Sequence, residues 1–288
     1  MRLIERLDAW EKLMRLDKPI GSLLLLWPTL WGLWFAAEGN PNPWVLAIFV
    51  LGTVLMRSAG CVINDWADRK FDAHVSRTKQ RPLVTGQVSP NEALWLAAGL
   101  CVLAFLLILP LNRLVIWLSI PALLLAGSYP FTKRFFAIPQ AYLGVAFGFG
   151  IPMGFAAVLG EVPATAWWLL LANVFWAVAY DTEYALVDRE DDLKIGIRTS
   201  AITFGSFDLA AITLCYAAFI GLMAWLGLQA GRGLPYACGL AVACAMAVAH
   251  LFMIRRREPG PCFKAFLNNN WLGAVIFAGL LIDYYLHP

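Results

Sequence analysis

WVLAIFVLGTVLMRSAGCVI (residues 44–63) runs without a break into NDWADRKFD (residues 64–72). Twenty residues with Arg57 as their one charged side chain are long enough to cross a hydrocarbon core of about 30 Å as a helix. Asn64, Asp65, Asp68 and Asp72 stand at the end of that run, where charge is expensive. Asn64, Asp68 and Asp72 are spaced i, i+4, i+8, which stacks them on one helix face about a turn apart. Carboxylates so placed raise one another's pKa unless a cation joins them. Hard divalent ions such as Mg2+ accept one or two carboxylates and complete their shell with substrate phosphates. An isolated D-x3-D would read more simply as a solvated helix end.

It is not isolated. Asp188-Arg189-Glu190-Asp191-Asp192 begins 120 positions after Asp68, again beyond a long apolar run. Asp188 and Asp192 repeat the i, i+4 pair, and Arg189 follows its aspartate as Arg69 follows Asp68. Thr78 then Gly86 in the first copy match Thr199 then Gly205 in the second. The pattern predicts two half-repeats, centred near 64–86 and 181–205. Two facing acidic pairs could hold divalent ions around one diphosphate.

Hydrophobic residues are 60% and charged residues 14% of 288 positions, against about a quarter charged in a soluble domain. The chain reads as an all-α polytopic membrane protein, one domain over residues 1–288. Nine spans are predicted: 20–37, 44–63, 92–110, 114–131, 139–159, 164–182, 208–229, 234–254 and 266–286. Residues 1–18 carry Leu3, Leu7, Trp10 and Met14 at helical spacing among basic residues including Arg2, Arg6 and Lys12. That predicts an amphipathic helix on the bilayer surface. It has acidic residues and no cleavage pattern, unlike a signal or transit peptide.

Lys and Arg set the orientation. Nineteen of the 22 fall on the side of the amino terminus and the second, fourth, sixth and eighth loops, Arg77 and Arg81 among them. Arg113 and Arg232 alone lie opposite. The amino terminus and both acidic stretches are therefore expected to face the cytoplasm. A net charge of +3 is too small to point to nucleic acid. The six cysteines have no C-x-x-C spacing and read as reduced thiols, not disulfides or a zinc site. His74, His250 and His287 form no cluster.

Ionisable groups inside spans are functional candidates. Arg57, seven residues before Asn64, is either an interhelical salt bridge or a bidentate phosphate contact. Tyr129, Lys133 and Arg134 close the fourth span, where the cations suit a diphosphate or an aromatic carboxylate, or merely form its positive flank. Asp181, Tyr184 and Asp188 form a face running into the second acidic stretch. Lys194 follows and could clamp phosphate. Asn268, Asn269 and Asn270 open the last span, where their amides require partners.

With these residues assembled, the chain resembles the intramembrane aromatic prenyltransferase family of ubiquinone biosynthesis over nearly its whole length. The resemblance rests on Leu16 through Gly21, Trp27-Pro28-Thr29, Arg57 through Asp72, Tyr129-Pro130-Phe131, Tyr180 through Asp192, Gly196-Ile197 and Phe263 through Asn270. The signature N-D-x-x-D-x-x-x-D is met by Asn64, Asp65, Asp68 and Asp72, and D-x-x-x-D by Asp188 and Asp192. The resemblance implies nine helices around a central cavity open to lipid, with Mg2+ as cofactor. It implies transfer of a polyprenyl group from all-trans polyprenyl diphosphate to the ortho carbon of 4-hydroxybenzoate. Asn64, Asp68, Asp72, Asp188 and Asp192 would hold metal. Arg57, Lys133 and Lys194 would hold diphosphate. Arg134 and Tyr129 would bind the aromatic substrate, and Asp181 or Asp188 would orient or deprotonate the phenol. A bacterial inner membrane and association with other quinone-pathway enzymes are the implied setting.

Two rivals remain at this level. The same chemistry could act on a dihydroxynaphthoate- or homogentisate-type acceptor, since the aspartate motifs read only the shared diphosphate. A secondary transporter would also carry repeats and membrane carboxylates, but nearer the bilayer midplane.

Overall fold

The computed structural model describes residues 3–73 and 78–287, without the side chains of Phe71 and Ile195. Arg2, His74 and Arg77 of the sequence reading lie outside the described residues. Among the described residues the regular elements are all helical. They are α1 (Leu3–Met14), α2 (Ile20–Ala36), α3 (Pro43–Asp72), α4 (Pro90–Ile108), α5 (Arg113–Thr132) and α6 (Pro139–Gly148). There follow α7 (Gly150–Leu159), α8 (Ala164–Ile195), the short α9 (Ser200–Phe204), α10 (Asp208–Gln229), α11 (Leu234–Ile254) and α12 (Pro259–Leu286).

Local chemistry sets many of the ends. Ser89 and Asn112 cap α4 and α5, accepting from the Glu92 and Val115 N–H groups at 3.2 Å each. Pro43, Pro90, Pro139 and Pro259 occupy first turns, where the missing N–H leaves no bond unmade. Gly160 and Gly196 end α7 and α8 with φ of 75° and 73°, a left-handed backbone that glycine adopts without strain.

The span read as 139–159 is broken at Phe149 into α6 and α7. Pro152 explains the break, because its ring excludes the helical position of the carbonyl four residues earlier, that of Gly148. By contrast α3 and α8 run on past their apolar segments, for 30 and 32 residues, and carry both acidic stretches as continuous helix.

Seven segments are long and apolar enough to cross a membrane: α3, α4, α5, α6–α7, residues 200–229 spanning α9 and α10, α11 and α12. The apolar α2 is shorter, at 17 residues. In α8 an apolar first half joins a charged second half. Many large apolar side chains point outward, Trp44, Trp95, Trp117 and Trp271 among them. An apolar exterior of this extent suits lipid rather than water.

α8 is packed against α6, α10 and α12, and α2 against α7 and α12. At their centre Trp31, Trp176 and Phe219 meet with ring centroids 5.2 to 5.9 Å apart. α11 and α12 cross closely at Gly239 and Gly279. A Cβ on Gly239 would stand 2.8 Å from the Val275 carbonyl oxygen, so backbone contact there depends on the small residue. Ala9 and Leu13 of α1 pack with Val62, Leu83 and Val88, tying that helix to α3 and the following loop. Leu3, Ile4 and Leu7 remain exposed.

Candidate active site

A cavity of about 1220 Å³ opens inside this bundle. Its polar end is formed by the last turns of α3 and α8, and Asn64, Asp68, Asp72, Asp188 and Asp192 all line it. The i, i+4 spacings thus place both acidic pairs on one space. Deeper in, Ile48, Phe49, Phe105, Ile108, Leu123 and Met153 form its apolar walls. Arg57, Tyr129, Lys133 and Asp181 line it too.

The polar end is a lattice of opposite charges. Lys133, at the end of α5, reaches across to α3, with its Nζ 3.1 Å from Asp68 Oδ2 and 3.4 Å from Asn64 Oδ1. Burial alone would lower the Lys133 pKa, but Asp68 and the neighbouring Tyr129 outweigh it and hold the ammonium above its usual range. Arg81 bridges Asp72 Oδ2 at 2.7 Å and Asp65 Oδ1 at 2.8 Å. Arg15, from the turn after α1, holds the other Asp65 oxygen at 2.9 Å. Asp72 is pushed above the usual carboxylate range by burial; Arg81 opposes this, and Asp65 and Asp68 add to it.

Arg57 lies deeper. It borders Gly21, contacts Cys61 Sγ at 2.7 Å and stands 5.6 Å from the Phe147 ring centre. Among the described residues no carboxylate pairs with it, and its Nε has no hydrogen-bond partner. The salt-bridge alternative for Arg57 is therefore set aside. Gln140 lines the cavity with Asp181, and its side-chain oxygen accepts from the Ser200 N–H at 2.9 Å. Tyr129 stacks beneath Lys133, whose Nζ is 5.7 Å from the ring centre.

Two proposed residues are not brought to the cavity. Arg134 is exposed and donates to the Ala67 carbonyl at 3.3 Å, with its guanidinium over Phe131. Lys194 is exposed and pairs with Asp191 at 3.3 Å. Lys133 and Arg134 are adjacent, so they leave the chain in different directions; both reach the end of α3, and of the two Lys133 lines the cavity.

Sequence reasoning missed a buried polar network behind the cavity. Tyr216 on α10 donates to Glu183 Oε1 at 2.9 Å or Asn269 Oδ1 at 3.0 Å, and lies 3.2 Å from His250 Nδ1. Asn269 Nδ2 donates to Glu183 Oε2 at 2.9 Å, and its Oδ1 accepts from Trp176 Nε1 at 2.9 Å. Trp27 Nε1 donates to Asn270 Oδ1 at 2.9 Å. Asn269 and Asn270 of the asparagine run thus find partners in neighbouring helices. Asp181 and Glu183 are two positions apart, about 200° round the helix; one faces the cavity and the other faces α10, α11 and α12.

Among the described residues no three His, Cys, Asp or Glu side chains form a ready metal cage. The donor set at the polar end is nonetheless all oxygen, in pairs on two helices. That suits Mg2+, which binds one or two carboxylates and shares phosphate oxygens with a substrate.

Comparison with known proteins adds to this geometry. The sequence profile of the UbiA prenyltransferase family matches residues 25–274. The chain belongs to the UbiA prenyltransferase family. A 4-hydroxybenzoate octaprenyltransferase of Azoarcus sp. (strain BH72) is 71% identical, with 99% of each chain covered. One of Dechloromonas aromatica (strain RCB) is 68% identical over 98% of this chain and 96% of its own. Among solved structures, an apo UbiA homologue from Aeropyrum pernix K1 superposes with a TM-score of 0.82 at 26% identity. It covers 91% of this chain and 97% of its own. A UbiA homologue from Archaeoglobus fulgidus bound to GPP and Mg2+ superposes with a TM-score of 0.73 at 21% identity, covering 96% and 99%. At that identity the likeness is one of fold. The chain is thus an all-helical membrane protein of the UbiA fold, and its full-length relatives are prenyltransferases by name.

Proposed function

We propose that this protein transfers a polyprenyl group from an all-trans polyprenyl diphosphate to the carbon ortho to the hydroxyl of 4-hydroxybenzoate, releasing diphosphate. The observation that carries the reading is one cavity with two acidic helix ends at its mouth and apolar walls behind. Near full-length identity to 4-hydroxybenzoate octaprenyltransferases supports this acceptor over a naphthoate or homogentisate type.

Asn64, Asp68 and Asp72 with Asp188 and Asp192 would hold Mg2+, which supplies Lewis-acid stabilisation to the departing diphosphate. Lys133 adds a preorganised positive charge at that end. The allylic C–O bond breaks, the ring ortho carbon forms the new C–C bond, and the ring proton leaves. Apolar walls keep water from the allylic cation. Asp181, which lines the cavity, would orient or deprotonate the phenol. The sequence resemblance makes Arg57 a diphosphate contact. It lies seven residues, about 10 Å along α3, below Asn64, which suits the acceptor carboxylate better than the leaving group. Arg134 no longer has that role. Tyr129 would shape the acceptor site from beneath Lys133.

The reading places nine crossings in a bacterial inner membrane, by adding α2 and α8 to the seven apolar segments. The amino terminus and the acidic end face the cytoplasm, where α1 lies on the bilayer surface. Association with other quinone-pathway enzymes belongs to the same reading.

The test is prenyl transfer to radiolabelled 4-hydroxybenzoate in membranes, with Mg2+ and with chelator, for the intact protein, Asp68→Ala and Asp188→Ala. Product that needs the metal and disappears in both variants supports the assignment. Metal-dependent diphosphate release without labelled product would discard the acceptor, and no cleavage of any allylic diphosphate would discard the reaction.

A further inference from the structure

Tyr180 lies one residue before Asp181 on α8 and lines the cavity with it. It is 1% exposed, and its hydroxyl has no hydrogen-bond partner among the described residues. Buried hydroxyls are rarely left unpaired. The ring cannot swing to find a partner, because Trp176 meets it edge-on at 5.2 Å and Phe266 lies against it at 6.2 Å. Trp176 is itself fixed by its hydrogen bond to Asn269. The hydroxyl is therefore held in place by the same buried network that joins α8 to α12.

Arg57, Asp181 and Tyr129 are within electrostatic reach of Tyr180. The depth agrees: Tyr180 is eight residues, about 12 Å, below Asp188 on α8, as Arg57 is about 10 Å below Asn64 on α3. Two donors, the Arg57 Nε–H and the Tyr180 O–H, thus lie at similar depths of the cavity, and neither is hydrogen-bonded by a described residue, the nearby Asp181 carboxylate included. An acceptor-only group with several lone pairs satisfies both, as a carboxylate does. In 4-hydroxybenzoate the carboxylate is para to the hydroxyl, so it projects away from the reacting carbon and the diphosphate.

We propose that the Tyr180 hydroxyl donates a hydrogen bond to the carboxylate of the aromatic acceptor beside the Arg57 guanidinium, and thereby selects acceptors that carry an anion at that position. The contact rests on the prenyl-transfer reading above and names a residue that sets its acceptor specificity. A neutral acceptor would leave both buried donors unpaired, which is how a polar pocket rejects an analogue.

The experiment is steady-state prenyl transfer by the full-length protein in membranes, wild type against Tyr180→Phe. The KM for 4-hydroxybenzoate rises on the order of tenfold. The KM for the prenyl diphosphate and kcat stay within about twofold. Benzoate, which has the carboxylate without the phenol, inhibits the variant more weakly by the same factor. In the wild type benzoate inhibits far better than benzamide, a comparison that needs no variant to fold. Equal inhibition by the two, an unchanged KM in an active variant, or a KM change confined to the diphosphate would each overturn the contact. A wild type that forms no product from 4-hydroxybenzoate would overturn the reaction itself, and the contact with it.

Discussion

Lys133 meets Asp68 and Asn64, and in the proposed reaction negative charge develops there on the departing diphosphate. Lys133→Ala removes that fixed charge and leaves the Asp68 carboxylate without its ammonium partner. We expect kcat to fall by about a hundredfold or more, measured by product formation at saturating substrates, with protein yield as the control. A second outcome belongs to Asp72. Its pKa is raised chiefly by burial, so the protonated form is favoured and ionisation opposes folding as pH rises through the raised value. Metal ligation needs the ionised form. If Asp72 ligates Mg2+ as proposed, the Mg2+ concentration needed for half-maximal activity therefore rises as pH falls, beginning above the usual carboxylate range. Arg81 opposes the shift, so Arg81→Gln moves the onset to higher pH; a profile identical to wild type would count against it. Charge type and spacing made Asp68, Asp72, Asp188 and Asp192 legible as one site. They could not separate Lys133 from Arg134, because composition at a helix end is blind to direction. Glu183 was hidden for a similar reason: it follows Asp181 closely in the chain but looks the other way.

Helices α3 and α8 do two things at once. Each begins as an apolar membrane segment and ends as a carboxylate-bearing wall, and the change in character along one helix was plain in the sequence. The break between α6 and α7 was less plain, since apolar residues run through it and Pro152 acts on a carbonyl a turn away. Closer still is the crossing of α11 and α12, where Gly239 and Gly279 meet backbone to backbone. Gly239→Leu must separate the two helices, and overpacking of this kind costs about 1–3 kcal/mol or more. A lower unfolding midpoint in detergent is expected, with Gly52→Ala as the contrasting variant, since a Cβ at Gly52 meets nothing within 4 Å. No signal in a single sequence distinguishes these two glycines, because their difference lies in a partner helix.

For the molecule as a whole, the basic residues cluster at the same end as the acidic cavity mouth, and the exterior between the ends is apolar. That asymmetry predicts a topology. In a cysteine-free background, Cys placed at Glu161 reacts with an impermeant maleimide added to intact cells, and Cys placed at Gln87 reacts only after the membrane is opened. The reverse pattern would invert the assignment. The expected orientation rests on charge counts alone, whereas the cavity could be expected only from the family resemblance. Its walls come from five or more helices, and no local pattern announces an enclosed space. The α3 carboxylates at its mouth, Asp65, Asp68 and Asp72, are already matched by Lys133, Arg81 and Arg15 before any ligand arrives. A metal ion alone must compete with those cations, and a diphosphate alone must compete with those anions. Arriving together, they let the phosphates take the cations while the carboxylates take the metal. Each ligand then raises the affinity for the other by the same factor, so the resting charge lattice makes the mouth a coincidence detector that responds to the pair and ignores either half.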